Sequence, residues 1–358
     1  MINRLTKTLL FLIVTIGLAF PSQTSCGYCN KKVDGRYIIF ETKTYHQSCY
    51  QTHIQVKCSH CSKKIDGQYS IYNDKNYHAG CYKKYVQIRC DHCGNTISDA
   101  YNIDNDKKYH KACYINNILE KCDACLNPIE GKYNKDYWGN IYHQKHNDEF
   151  PSCDNCNRLM CERITKGGYT IDKKRNICSL CYPKIIVKQS QIINIDKEVK
   201  SVLSDIGINN IPSNIPISIV NSMAELDHIS TIRLGNVRGY THYNVNTLAG
   251  RKIKEEFHIY VLSNLHELAF KAVLAHEYLH VYLFQNDYDL ESDLREGFCN
   301  LGSQLILKKD NSIVSNYLLD SMYESDDLDY GKGFIKMNKM LEKKGWNKLL
   351  NYLVKLSK

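Results

Sequence analysis

Apolar residues recur at helical spacing through much of the C-terminal half of the chain. The clearest stretch runs from Glu267 to Phe284 without glycine or proline, which predicts one long helix. Shorter patterns predict a helix from Asp196 to Ile206, strands from Ile215 to Asn221 and from Glu256 to Leu262, and a loop or hairpin from Gly235 to Ala249. These elements indicate an α+β domain over residues 196–358, preceded by a β-branched linker over 183–195.

The first 25 residues have the pattern of an export signal. Arg4 and Lys7 flank the start of a 13-residue apolar stretch, Thr8 to Phe20, and small polar residues follow it. A membrane-spanning helix needs roughly 20 apolar residues, so this stretch is too short. The sequence therefore predicts a cleaved signal peptide over 1–25 and an exported protein, secreted or periplasmic, without a membrane span after cleavage. An uncleaved anchor is the alternative.

Cysteine and histidine recur at a fixed period in residues 26–182. Of the 17 cysteines, 16 lie in this region. Three copies of Cys-x2-Cys followed by His-x2-Cys begin 32 residues apart, a fourth copy ends in His-x2-His, and a fifth ends in Cys-x2-Cys. The predicted units are 26–57, 58–89, 90–121, 122–152 and 153–182. The repeated residues are Cys26, Cys29, His46, Cys49; Cys58, Cys61, His78, Cys81; Cys90, Cys93, His110, Cys113; Cys122, Cys125, His143, His146; and Cys153, Cys156, Cys178, Cys181.

Two such pairs on tight turns are the pattern of a tetrahedral zinc site. A unit of about 30 residues has too small a core to fold alone, so metal binding would supply the missing stability. The alternative is a disulfide framework, which is common in exported proteins. A disulfide framework does not explain why histidine occurs at the same place in four copies. His146, which stands where the other copies have cysteine, cannot form a disulfide bond. The sequence predicts about five structural Zn²⁺ ions, with Cys161 as a small packed residue.

The charge balance argues against nucleic-acid binding. The cysteine-rich part carries 24 Lys and Arg against 17 Asp and Glu. Five Zn²⁺ ions held by 15 thiolates would reduce that positive excess from seven to about two. A zinc-finger protein that binds nucleic acid should carry a strongly basic stripe. We therefore expect protein partners and no nucleic-acid partner.

The predicted helix over 267–284 contains His276-Glu277-Tyr278-Leu279-His280. Residues four apart share a helix face, so His276 and His280 can bind one metal ion, and Glu277 lies beside them as a candidate general base. The alternative is a helix with two surface histidines. The apolar flanks instead indicate a buried helix, in which unpartnered His and Glu side chains would be costly.

A catalytic metal needs a third protein ligand. Asn286 occupies the place of the third metzincin histidine, and the acidic connector after it is expected to be solvated. Glu296 begins a predicted helix, and Gly297 should permit close approach to the motif helix. The sequence predicts His276, His280 and Glu296 as ligands of one catalytic Zn²⁺, with Cys299 as a small buried residue. The donor that stabilises an oxyanion stays open among His228, His242, Tyr323 and Tyr330.

The N-terminal units resemble LIM-type zinc modules. The shared pattern is Cys-x2-Cys, a 16-residue gap, a Tyr-His pair and then x2-Cys with an aromatic residue after it. A LIM domain starts its second cysteine pair two residues after the first site closes, whereas eight residues separate Cys49 from Cys58. The resemblance implies tandem single-zinc units that bind a protein partner or a substrate.

Residues Leu274 to Leu307 resemble the catalytic core of the plant LIM-containing, ubiquitin-activated gluzincin metallopeptidases that regulate organ growth. The shared residues are Leu274-Ala275-His276-Glu277, His280, Glu296-Gly297 and Cys299, with weaker likenesses at Arg238-Gly239 and at Tyr330–Phe334. The resemblance spans about residues 210–355. It implies a zincin-like fold and an endopeptidase activity. An export signal stands where that family has ubiquitin-interacting helices, so regulation by ubiquitin is not implied.

The expected architecture is a tandem of small β-rich zinc modules, LIM-like or of treble-clef type, followed by an α+β zincin-like metallopeptidase domain. The expected function is a zinc-dependent endopeptidase that hydrolyses peptide bonds of a protein substrate, with the Glu256–Leu262 strand as a candidate edge for an extended substrate. The alternative is a non-catalytic adaptor, in which the zinc modules bind a partner and the C-terminal domain is a retired peptidase.

Overall fold

The computed structural model describes residues 24–171, 174–230, 237–249 and 251–357, together with two short strands before them. It divides into two compact units, Met1–Glu120 and Lys121–Lys358. Most of the predicted signal peptide, residues 1–25, lies outside the described residues. Among the described helices, none has both the length and the apolar character that crossing a membrane requires.

The first unit consists of short antiparallel hairpins, each followed by a helical turn at the second ligand pair. The strands are β1 (Thr8–Leu10), β2 (Thr15–Gly17), β3 (Tyr37–Phe40), β4 (Lys43–His46), β5 (Tyr69–Tyr72), β6 (Lys75–His78), β7 (Tyr101–Asp104) and β8 (Lys107–His110). The helices are α1 (Gln47–Cys49), α2 (Ala79–Cys81) and α3 (Lys111–Asn117), and π-helical turns follow the first two, Tyr50–Ile54 and Tyr82–Val86. Strand β1 pairs with β5, and β2 pairs with β3.

The recurring tyrosines form the small core of each module. Tyr45, Tyr77 and Tyr109, which precede the histidines, are all buried on the inner face of their hairpins. In the first two modules, Tyr50 and Tyr82 pack against them from the following helical turn, with ring centroids 6.2 and 6.4 Å apart. A few aliphatic side chains, such as Val33, Ile65 and Ile97, complete each small core, so metal binding at the Cys and His residues would add needed stability.

The second unit contains the last two Cys/His modules and a largely helical C-terminal region. The module elements are β9 (Tyr133–Lys135), β10 (Ile141–His143), α4 (His146–Glu149), α5 (Glu162–Thr165), β11 (Gly168–Ile171), β12 (Arg175–Cys178) and a 3₁₀ turn (Tyr182–Lys184). The later elements are α6 (Gln189–Ser204), β13 (Ile217–Val220), α7 (Met223–Ser230), β14 (Gly239–Leu248), β15 (Arg251–Leu262), α8 (Glu267–Gln285), α9 (Ser292–Asp310), α10 (Ile313–Tyr323), a π-helical turn (Leu328–Gly333), α11 (Phe334–Lys344) and α12 (Trp346–Leu356).

Two details of the predicted organisation need correction. The segment 183–195 is only partly a linker, because α6 begins at Gln189, where the Gln191 side chain accepts from the backbone N–H of Lys188. The predicted edge strand over 256–262 is a sheet edge only before Ile259 among the described residues, because β13 pairs with it from Ile259 to Leu262. The sheet order is β13-β15-β14, with β13 parallel and β14 antiparallel to β15, so β15 is central and β14 lies at an edge.

Helices α8 and α9 pack closely because α9 carries a glycine at their contact. A Cβ atom on Gly302 would lie 2.8 Å from the backbone oxygen of Ala275 in α8. This distance is shorter than the contacts that real Cβ atoms make. Sequence reasoning assigned this role to Gly297. Gly297 instead faces the π-helical turn, where a Cβ atom would lie 2.3 Å from the backbone oxygen of Gly333. Two glycines on opposite sides of α9 therefore place it between α8 and that turn.

The fifth module is joined to the C-terminal sheet and to α8 by backbone and side-chain bonds. Ile185 forms an antiparallel bridge with His266, just before α8. The Asn155 side chain donates to the backbone oxygen of Asn264 at 3.0 Å and accepts from the backbone N–H of His266 at 3.1 Å. Arg175 donates to the backbone oxygen of Ser263 at 2.6 Å. The module is thus part of the framework that positions α8.

Gly297→Ala should destabilise the second unit. The added methyl group would overlap the Gly333 backbone, which cannot rotate away as a side chain can, so we expect a loss of about 2–3 kcal/mol in the free energy of unfolding. Urea unfolding followed by tryptophan fluorescence measures this, because both tryptophans, Trp138 and Trp346, lie in this unit. Lys308→Ala, at an exposed site of α9, is the matched control and should change little. Equal stability of the two variants would contradict the packing described.

Candidate metal centres

Each of the five predicted modules brings its four Cys and His ligands together. In every module the four ligand atoms lie within 4.8 Å of one another. All 17 cysteines are free thiols in the structure. In the fifth module, the sulfur atoms of Cys156 and Cys178 are 3.7 Å apart. The edge of a tetrahedron with Zn–S bonds of 2.3 Å is about 3.8 Å. The modules therefore have the donor sets and spacing of metal sites, not of disulfides.

The histidines of the first four modules are oriented in the same way. In modules one to three, Nδ1 of His46, His78 and His110 lies 3.4 Å from a cysteine sulfur. The opposite ring nitrogen, Nε2, lies 2.9–3.0 Å from a backbone oxygen. His143 repeats both contacts in module four. When Nε2–H donates to a carbonyl, the Nδ1 lone pair is left for a metal. Hydrogen bonds of this kind commonly orient metal-binding histidines.

His146 shows why the fourth module can replace cysteine with histidine. Its Nδ1 atom bonds to the Glu149 carboxylate at 2.5 Å. Its Nε2 atom is buried and has no hydrogen-bond partner among the described residues. A buried acceptor without a hydrogen-bond partner costs free energy. His146 belongs to the same converging group as Cys122, Cys125 and His143. A cation at that group would satisfy the atom.

The fifth module has the most buried group, with all four cysteines shielded from solvent. Arg158 approaches the Cys156 sulfur at 3.5 Å, and the backbone N–H of Cys178 approaches the Cys153 sulfur at 3.2 Å. Such donors stabilise thiolates. Cys161 does not belong to this group. It is 3% exposed and packs in the apolar cluster of module four, as expected for a small packed residue.

A sixth convergence lies between α8 and α9, at the residues predicted to bind a catalytic metal. The Nε2 atoms of His276 and His280 are 3.1 Å apart. The Glu296 Oε2 atom lies 3.3 Å from the first and 3.4 Å from the second. A tetrahedral ion with bonds of 2.0–2.1 Å has ligand atoms about 3.3–3.4 Å apart. One turn of α8 and one carboxylate from α9 thus form a three-ligand set.

The donor set fits a cation on two further grounds. Glu296 Oε2 is buried and has no hydrogen-bond donor among the described residues. Burial alone would raise the pKa of Glu296, but the adjoining imidazoles of His276 and His280 hold it well below its usual range. The carboxylate is therefore charged and needs a positive partner in this buried site, a role that a divalent ion fills.

Neighbouring residues orient His276. The Asn300 Oδ1 atom lies 2.9 Å from His276 Nδ1, and the Asn300 amide donates to the backbone oxygen of Tyr330 at 2.7 Å. Acceptance by Asn300 places the proton of the imidazole on Nδ1 and leaves Nε2 for the metal. The Tyr330 ring stacks on His276 with centroids 6.0 Å apart. Sequence reasoning did not identify Asn300, although its position one turn after Glu296 in the same helix was a usable signal.

Glu277 lies on the sheet side of α8, against the edge strand β14. It is 2% exposed, and its Oε2 atom accepts from the Thr241 hydroxyl at 2.7 Å. A Cβ atom on Gly239 would lie 2.5 Å from Glu277 Oε1, so a glycine is needed for the carboxylate to take this place. Sequence reasoning identified Glu277 but missed Thr241 and the reason for Gly239, because both depend on strand pairing.

The four candidates for the donor that stabilises an oxyanion differ in their surroundings. The Tyr330 ring lies against His276 of the three-ligand set, and burial, followed by the charges of Glu296 and Glu277, raises the pKa of its phenol. The Tyr323 hydroxyl accepts from the amides of Gln304 and Asn338, at 2.8 and 3.2 Å. His228 lies in α7, and His242 pairs with His258 in the sheet. Tyr330 is the candidate that the geometry favours.

Cys299 lies in α9 between Glu296 and Asn300 and is fully buried. Burial raises the pKa of this thiol well above its ordinary value, and the carboxylates of Glu296 and Glu277 add to the effect. A neutral thiol is a poor metal ligand. Cys299 is therefore a packed small residue, as expected from the sequence.

Asn300→Ala should weaken metal binding at the His276/His280/Glu296 site alone. Loss of the orienting hydrogen bond commonly lowers the affinity of a metal site by about 10- to 100-fold. Competition with a chelator, followed by elemental analysis, measures how many ions are retained per chain. Ser303→Ala, which removes a bond to the Ala272 backbone one turn further along, is the control. An unaltered affinity in Asn300→Ala would count against the orienting role.

Cys156→Ser should remove one metal ion and also destabilise the second unit. The fifth module is bonded to the segment before α8, and the Trp138 indole donates to the Cys156 backbone oxygen at 2.8 Å. A loss of about 2 kcal/mol would lower the Tm of the tryptophan-detected transition by about 4–8 °C. Cys61→Ser, in the other compact unit, should also remove one ion but leave that transition in place. Equal effects of the two variants would refute this assignment.

No family model matches the chain, and no curated protein matches it. Any family membership therefore remains an expectation from the residues quoted above. The structure itself supports repeated Cys/His clusters on short β-hairpins, followed by a helical C-terminal region, and several of these clusters can bind zinc or another metal.

Proposed function

We propose that the chain is a zinc-dependent endopeptidase of the gluzincin type, with a zincin-like C-terminal domain. The observation that carries the proposal is the convergence of His276, His280 and Glu296 at 3.1–3.4 Å, with the buried Glu277 in the same turn of α8 as the two histidines. The resemblance in sequence to LIM-containing metallopeptidases points to the same activity.

The proposed chemistry uses Glu277 as a proton carrier. Zinc bound by His276, His280 and Glu296 would supply Lewis acidity, polarising a peptide carbonyl and making a water molecule acidic. Glu277, oriented by Thr241 at Oε2, would accept the proton of the attacking water on Oε1 and pass it to the leaving amine. Tyr330 would donate to the oxygen of the peptide carbonyl as negative charge develops on it.

An extended substrate would lie along β14. This strand pairs with β15 on one side only among the described residues, and it carries both Thr241 and Gly239, which contact Glu277. An added strand would bond its backbone to the open edge and so hold the scissile peptide near the carboxylate. This assignment replaces the strand over 256–262, in which Ile259 to Leu262 pair with β13 as well as with β14.

The tandem modules would serve as the docking region for a protein partner or substrate. Their resemblance to LIM modules supports that role, as do exposed aromatic side chains beside the ligand loops, such as Tyr28 and Tyr85. Export by a cleaved signal peptide over 1–25 is part of the same proposal. The free thiols of all the modules would then need zinc before they meet an oxidising compartment.

Glu277→Gln should abolish proteolysis while leaving the metal content at about six ions per chain. Removal of the general base should lower cleavage of a denatured protein by at least about 100-fold. N-terminal sequencing of the fragments released by wild type identifies the bonds cut. Glu267→Gln, at an exposed site of the same helix, is the matched control and should cleave like wild type.

A non-catalytic adaptor predicts a different result. Wild type would then release no fragments from any substrate, and the chain would hold about five ions instead of six. Fragments that persist in Glu277→Gln would refute the assigned base and point to a contaminating protease.

A further inference from the structure

A cavity of about 700 Å³ opens beside the proposed catalytic centre. His276 and Glu277 line one part of it. Much of the remaining wall is apolar and comes from helices α8, α9 and α10: Ala269, Ala272, Val273, Leu307, Leu318 and Met322. A cavity of this size and lining suits a side chain of several carbon atoms next to the bond being cut.

Arg238 is the one basic side chain among the described residues that line this cavity. Among the described residues it makes one hydrogen bond, from Nη2 to the backbone oxygen of Asp154 at 3.4 Å. No carboxylate in the described part of the chain lies within ion-pair distance of the guanidinium. An arginine carries five N–H donors, so most of them have no acceptor in the part of the chain that the structure describes. Burial lowers the pKa of Arg238, which the charge of Asp154 offsets only in part.

The acidic residues that line the cavity accept hydrogen bonds from other residues. Glu277 accepts from Thr241, and the Asp154 side chain accepts from the backbone N–H of Asn176. Asp327 accepts from the backbone N–H groups of Asp329 and Tyr330 at 2.9 and 2.8 Å. Asp154 is the carboxylate whose charge acts on Arg238, and it offsets the cost of burial only in part. The cavity beside the arginine is largely apolar, and the guanidinium has no ion-pair partner among the described residues.

The fifth module fixes where that charge lies. Asp154 and Asn155, between the ligands Cys153 and Cys156, form part of the cavity wall. The Asn155 bonds to residues 264 and 266 hold this loop against the segment before α8, and the Asp154 backbone oxygen holds Arg238. The ligand loop of a metal module is thus part of the substrate pocket of the peptidase domain.

We propose that this cavity is the main specificity pocket of the enzyme, and that Arg238 selects a substrate with a carboxylate beside the scissile bond. The inference rests on the proposed peptidase function. An apolar stem of two or more methylene groups would pack on the pocket walls, and its terminal carboxylate would form a charge-assisted pair with the guanidinium. A glutamate side chain has this chemistry. The α-carboxylate at the end of a substrate chain has the same charge.

Matched peptides separate these two sources. One peptide has glutamate next to the cleaved bond, a second has glutamine there, and each is made with a free and with an amidated C-terminus. For wild type we expect kcat/KM for the glutamate peptide to exceed that for the glutamine peptide by about 10- to 100-fold, the usual range for a charged hydrogen bond. A preference that follows the free C-terminus instead would assign the terminal carboxylate.

Arg238→Gln should reduce the glutamate-to-glutamine ratio to near one, and Arg238→Glu should favour a lysine peptide over the glutamate peptide. Arg175→Gln is the control for a purely structural role. Arg175 also joins the fifth module to backbone oxygens of the C-terminal region, but it does not line the cavity. This variant should lower cleavage of both peptides equally and leave the ratio as in wild type.

Two results would overturn the inference while leaving the peptidase assignment intact. One is a wild-type enzyme that cleaves peptides without regard to charge. The other is a charge preference that survives in Arg238→Gln. If wild type cleaves no peptide, the proposed function fails instead, and calorimetric binding of the same peptides to metal-loaded Glu277→Gln protein tests the pocket directly. Equal Kd values for the glutamate and glutamine peptides would then refute the carboxylate pocket.

Discussion

Converging nitrogen, sulfur and oxygen donors are the feature on which both compact units depend. Four thiols within 4.8 Å of one another, as in the fifth module, cannot all ionise without a cation, because like charges at that separation repel strongly. Each module also buries a few aliphatic side chains, but its apolar core stays small. Metal binding at the Cys and His residues would therefore add much of the stability of these folds.

The same constraint acts differently in the C-terminal region, which has a large apolar core of its own. There the packed core itself brings the three candidate ligands together. Gly302 lets α9 lie against the backbone of α8, so that Glu296 reaches the histidines of the neighbouring helix. The three-ligand set leaves one tetrahedral position for a reactant, whereas the four-ligand sets of the modules are closed. Under the proposed function, the number of protein ligands separates the structural sites from the catalytic one.

In the proposed function, strand β14 and the fifth module would link the recognition of a substrate to that chemistry. Thr241 and Gly239 on β14 determine where the Glu277 carboxylate lies. The open edge of this strand is the proposed binding site of the substrate backbone. The loop between Cys153 and Cys156 then completes the wall of the adjoining cavity and holds Arg238. A module that its sequence marks only as structural has, in this arrangement, a direct part in forming the pocket.

Much of this site was readable from the amino-acid sequence. Ligand spacing predicted all five clusters, because a Cys-x2-Cys turn and a hairpin ending in histidine are local structures with fixed geometry. Helical periodicity likewise placed His276, Glu277 and His280 on one buried helix, and Glu296 on the next. Contacts between distant segments were decided only in the tertiary structure. The glycine that contacts α8 is Gly302 and not Gly297. The strand at the sheet edge is β14, where the sequence suggested β15. Asn300, Thr241 and Arg238 acquire their roles from residues that lie tens of positions away in the sequence. The physical reason is that helix periodicity and turn chemistry act over a few residues, whereas strand order and helix contacts depend on how the whole core packs.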